Sequence, residues 1–149
     1  MKNLLFTFFV FIFMSVNGAT NSSAQCSDFA DSIVLPLLDD YIVSGRYAQQ
    51  VVSEGQSVEV RRTLSKGIRY RFAAKGDQNL PQDIEITVET DDQKQLYASK
   101  DHNFSPIWDF ECKETVQVVI FVSVPNVSPL GERPKAGCVS LLSGIKPLK

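Results

Sequence analysis

The chain has 149 residues, with 15 Lys and Arg, 17 Asp and Glu, one His and three Cys. A balance this close to neutral excludes general attraction to nucleic acid or to anionic membrane surfaces. One histidine and no C-x-x-C pair leave zinc and thioredoxin-like chemistry without residues, and no cofactor is expected.

The chain opens like a secretory signal peptide. Lys2 gives a positive start, and an apolar run from Leu4 to Val16 is broken only by Thr7 and Ser15. The run falls short of the roughly 18 residues that span a bilayer. Small residues at Ser22 and Ala24 fit cleavage before Gln25, although cleavage after Gly18 or Ala19 suits the pattern nearly as well. The expected division is a signal peptide over residues 1–24 and a single domain over 25–149, exported to the periplasm, the cell surface or the medium. Loss of Lys2 leaves 14 basic residues against the 17 acidic ones. Cys26 raises an alternative, since lipoproteins are cut just before a cysteine that then carries lipid. Gln25 directly before it, and its distance from the apolar run, weigh against a lipid anchor.

From Ser27 to Tyr41 apolar residues recur at helical spacing, with Ser27 as a possible cap and Pro36 inside the pattern. A short helix or irregular turn is expected, then a break at Ser44-Gly45. Next comes an edge strand from Arg46 to Val52. Val58 and Val60, then Ile68, Tyr70 and Phe72, then Ile84, Ile86 and Val88 each alternate with polar residues. Period-two patterning of this kind marks strands with one buried face. Turns fall at Leu64–Gly67, Lys75–Asp77 and Asp91–Lys94. After Leu96–Ala98 the strands become more apolar. Trp108, Phe110 and Cys112 share a face, and Val116–Val124 is apolar on both, as suits a central strand. Pro125–Lys135, with three prolines and a glycine, is a loop before a last strand at Gly137–Leu142. About eight strands at this spacing predict an all-β, jelly-roll-like antiparallel sandwich with a short N-terminal helix or turn.

An exported chain can form disulfides, but three cysteines leave one unpaired. If the strands ending at Cys112, Val124 and Leu142 were consecutive antiparallel neighbours, Cys112 and Cys138 would sit roughly 25 Å apart. A disulfide needs Cα atoms within about 7 Å. Cys112 and Cys138 are therefore expected as buried thiols, or one of them bonded to Cys26.

Several residues could carry chemistry. Asp101, His102, Ser105 and Asp109 crowd one segment, but triads are assembled across a fold, so a polar loop is the expectation and no catalytic residue is assigned. Asp101, Asp109 and Glu111 are the first carboxylates to consider for a hydrolase alternative. Asp91, Asp92, Asp101 and Asp109 form a weak calcium alternative, without EF-hand spacing. Tyr41, Tyr47, Tyr97 and Trp108 are the candidates for stacking on a ligand, with core burial favoured for Trp108.

The runs SGRYAQQVVSEGQSVEVRRTLSKGIRYRF, IEITVETDDQKQLYAS, SPIWDFEC and GCVSLLSG resemble small exported bacterial proteins of unassigned function. The pattern L-x-x-G-x-x-Y-x-F followed by an acidic turn is also similar to the sandwich of the pre-peptidase C-terminal type. The resemblance implies a jelly-roll-like sandwich and brings no catalytic residues. Together these features predict a non-catalytic exported module that binds a protein or glycan partner, touching membrane only through its signal peptide or a lipid anchor. A carboxylate hydrolase and a lipid-anchored structural envelope protein are the alternatives.

Overall fold

In the computed structural model, which describes residues 22–148, eight strands form two antiparallel four-stranded sheets. They are β1 (Ile42–Ser53), β2 (Ser57–Leu64), β3 (Ile68–Gly76), β4 (Glu85–Thr90), β5 (Gln95–Ala98), β6 (Ile107–Cys112), β7 (Val116–Ser123) and β8 (Ala136–Pro147). The first sheet runs β1-β8-β3-β6 and the second β2-β7-β4-β5. The eight-stranded sandwich expected from alternation is present, with jelly-roll strand order. Residues 1–21 of the expected leader lie outside the described residues.

Only β4 and β5 are joined as neighbours within one sheet; every other consecutive pair crosses between sheets. This corrects the arrangement assumed for the cysteines. β6 pairs with β3, β7 with β2 and β4, and β8 with β1 and β3. Cys112 and Cys138 therefore belong to one sheet but face opposite ways. Cys112 is buried in the sandwich interior, where its thiol donates to the carbonyls of Leu64 and Glu114. Cys138 faces outward and is bonded to Cys26, with Cα atoms 5.2 Å apart.

The interior is built from the inward residues of both sheets. Phe72, Ile86, Val88, Ile120, Val122 and Leu141 are fully buried there, and Trp108 is nearly so. Trp108 stacks on Phe72 and Phe110, with centroids 5.3 and 5.1 Å away. β7 lies inside its sheet, as its apolar run suggested.

The N-terminal segment covers part of the first sheet's outer face. Helix α1 (Ser22–Phe29) begins ahead of the expected cap at Ser27 and runs into a π-helical turn, Ala30–Val34, and a 3-10 turn, Leu35–Leu38. Pro36 stands in the first turn of the last piece, where a missing N–H costs nothing. Val34 and Leu38 pack on Ala73 and Leu142 to make a second small core. The disulfide fastens α1 to the start of β8. Among the described residues, no helix is long and apolar enough to cross a membrane.

Ser44-Gly45 is not a break but lies within β1. The pairing with β8 shifts register between Val43 and Gly45 and again between Arg46 and Ala48. Such bulges twist an exposed edge strand and blunt it as a template for unwanted pairing.

Candidate binding surfaces

Three of the four aromatic candidates are engaged by neighbours, and the fourth is core. Tyr41 follows the 3-10 turn on the outer face of the first sheet. The Arg71 guanidinium lies 4.6 Å from its ring centroid and the Lys146 ammonium 4.4 Å. Tyr47 lies at the opposite, β1–β2 side, with Arg62 4.0 Å above its ring and its hydroxyl accepting from Ser143 Oγ at 2.9 Å. Tyr97 stacks on His102 at 5.0 Å and an 8° interplanar angle, and its hydroxyl donates to the carbonyl of Ile107. Trp108 is 5.8 Å from Tyr97. Tyr97, His102, Ser105 and Trp108 thus line one shallow depression where the β5 and β6 edges meet, together with Arg71 and Asp109. Tyr41 and Tyr47 do not join them. Burial pushes the Tyr97 phenol above its ordinary pKa.

The carboxylates are held by arginines. Arg71 and Asp109 are directly opposed on β3 and β6, as are Arg69 and Glu111. Arg71 Nε and Nη2 donate to the two oxygens of Asp109 at 2.8 Å each, and Arg69 pairs with Glu111. The Asp109 bond holds the Arg71 guanidinium above its usual pKa. Register explains why Arg69 and Arg71 alternate with Ile68, Tyr70 and Phe72: cations of β3 meet anions of β6 on the wet face. Asp101 is exposed on the 3-10 turn Ser99–His102, and Asp91 and Asp92 lie on the β4–β5 turn. Asp92 accepts from Thr90 Oγ1, which lowers its pKa. Asp91, Asp92, Asp101 and Asp109 are not gathered into one cluster: among the described residues no group of three or more His, Cys, Asp or Glu is placed to hold a metal ion, and Asp109 is paired with Arg71. Of the three carboxylates named for the hydrolase alternative, Asp109 and Glu111 are in ion pairs with Arg71 and Arg69, while Asp101 is exposed and apart from them. The lipid-anchor alternative needs the Cys26 sulfur, which is bonded to Cys138.

Exposed apolar residues lie where no site was assigned: Ile42 at the start of β1 is 67% exposed. The loop between β7 and β8 carries Val127, 55% exposed, and Leu130, fully exposed. Glu132 N–H donates to the Pro129 carbonyl at 3.1 Å, and Gly131 takes a φ of 92°. That geometry is a type II turn, which needs glycine at its third position. Leu130 stands beside it at the apex. The base of the loop is pinned by Glu54, which is 5% exposed. Its backbone N–H donates to the Lys135 carbonyl at 2.9 Å, and its Oε2 accepts from the Ser128 N–H at 3.2 Å. Pro125–Lys135 was readable as a loop from its prolines and glycine; that Leu130 stands clear of the domain was not.

No family model matches the chain, and no curated protein matches it. Among solved structures it is similar to the periplasmic inhibitor of g-type lysozyme, PliG, from Aeromonas hydrophila. The two share 12% identity over 72% of this chain and 89% of that one, with a TM-score of 0.49. A likeness of that degree assigns no partner or activity to this chain.

Proposed function

We propose that this chain is an exported, non-catalytic module that holds a protein partner through the loop between β7 and β8. Export is supported by the leader-like start and by the Cys26–Cys138 disulfide, which persists in oxidising compartments. The observation that carries the binding role is the fully exposed Leu130 at the apex of a turn whose base is fixed by a buried carboxylate. Burying a leucine side chain contributes about 1.5–3 kcal/mol, and a pre-set loop loses little further entropy on docking. A polar tip would serve solubility better. A catalytic role lacks support because the paired acids are neutralised by Arg69 and Arg71.

The test is site-specific photo-crosslinking in cells that make the protein. A benzophenone side chain at position 130 should yield one discrete protein adduct, absent when the probe sits at the exposed Lys113. Adducts identical at both positions, or none at 130, would reject the reading.

A further inference from the structure

We propose a second binding site, for an acidic saccharide, in the groove between α1 and the loop that follows β3. The groove encloses about 400 Å³, and carboxamides supply much of its wall: Gln25 from α1, and Gln78, Asn79 and Gln82 from the loop. Phe29 adds an aromatic side chain and Lys75 an ammonium, and the Asp77 carboxylate also lines the groove, with both its oxygens accepting from backbone N–H groups.

The walls are fixed independently of any ligand. On one side the disulfide ties α1 to β8, so Gln25 and Phe29 hang from a fastened helix. On the other, Asp77 staples the loop to the same strand. Its Oδ2 accepts from the Cys138 N–H at 2.8 Å and its Oδ1 from the Asn79 N–H at 2.9 Å. A side chain on Gly137 would collide with the Asp77 carboxylate, so glycine there lets the staple close. Gln82 Nε2 donates to the carbonyls of Leu80 and Asp77, at 3.0 and 3.4 Å. This orients the amide and leaves its oxygen for a donor from outside.

The chemistry favours a sugar. Gln25 and Gln78 offer donor and acceptor side by side and Gln82 offers its oxygen, which together match hydroxyl groups that both give and take hydrogen bonds. An aromatic face suits the C–H side of a pyranose ring. Lys75 makes no ion pair among the described residues, and a carboxylate on the ligand would supply one. A peptide cannot add here as a further strand, because strand addition needs an exposed sheet edge. The strands lining this groove, β3 and β8, are both interior to their sheet.

The site does not depend on the loop at Leu130, so each proposal can fail alone. The experiment is a titration of the oxidised, leader-free protein, followed by amide NMR, with cellobiose, with cellobiouronic acid and with an acidic hexapeptide. Shifts confined to Gln25, Phe29, Lys75, Gln78, Asn79 and Gln82 are expected for both sugars, with the acid binding about three- to fivefold tighter, the worth of one exposed ion pair. Lys75→Gln should remove that preference and Lys75→Arg should keep it, each with an otherwise unchanged spectrum. The proposal is overturned if neither sugar moves these amides at millimolar concentration, if the peptide binds there more tightly than the sugars, or if the preference survives in Lys75→Gln.

Discussion

Cys26 and Cys138 join the first helix to the last strand across 112 residues of sequence, with the bond lying on the outer face of the sheet. Closing so long a loop removes much freedom from the unfolded chain. Reduction, or Cys26→Ser with Cys138→Ser, should lower stability by about 5 kcal/mol on the chain-entropy view. Urea unfolding with and without reductant measures this. Coincident curves would show that the bridge does not constrain the unfolded state.

Cys112 should behave as an inert thiol. It is fully buried, and burial raises its pKa, with hydrogen bonds opposing the rise. Ellman's reagent should find no thiol in the native protein and one after denaturation. The sign of the pH effect follows from the raised value. The contribution to stability is complete below the unfolded thiol pKa of about 8.5, and is lost as pH rises through the higher folded value. Unfolding midpoints recorded at increasing alkaline pH should fall less steeply for Cys112→Ala than for the parent.

Glu54 should matter more than its loop position suggests. Glu54→Ala removes the acceptor of the Ser128 N–H and should cost about 1–2 kcal/mol. Faster hydrogen exchange at the Ser128 amide would accompany it. Leu130→Asp should change stability by less than about 0.5 kcal/mol, because a fully exposed side chain gives the fold little. Denaturation curves for both variants decide; a large loss in Leu130→Asp would show that the tip supports the fold and not a partner.

The Tyr47 ring covers Gly45 so closely that a methyl group there would overlap it. Gly45→Ala should cost about 1–3 kcal/mol by displacing the ring, together with its Ser143 bond and its Arg62 contact. Tyr47→Phe, which keeps the ring, should cost about 1 kcal/mol. Thermal melts of both variants test the order; equal losses would mean that the hydroxyl, not the ring position, is what matters.

Alternation made most of the strands legible. Phe72 is buried between Arg71 and the small Ala73 because an inward side chain is followed by an outward one, and the pattern shows that without a partner strand. What alternation does not encode is which strand pairs with which. Hence Trp108–Cys112 and Val116–Val124 read as a hairpin, although they lie in different sheets. The same gap hid the second core: Ala73 and Leu142 belong to the outward side of their strands, and only the packing of Val34 and Leu38 reveals that this side is covered. Of the predicted site residues, Tyr97 and Trp108 come together at one edge because β5 and β6 end their sheets there. The groove residues were not flagged, since Gln25 lies about fifty residues before Lys75 and Gln78 and single amides carry no motif.

β8 is the last strand in the chain, yet it sits between β1 and β3 and hydrogen-bonds to both. While the chain is being made, those two strands have no shared neighbour, and α1 has no cysteine to join. The first sheet cannot assemble until residues 136–147 are available, whereas β2, β7, β4 and β5 can pair with one another before then. A chain stopped before Ala136 would leave β1 and β3 with nothing to join them, and the first sheet would be reduced to β3 paired with β6.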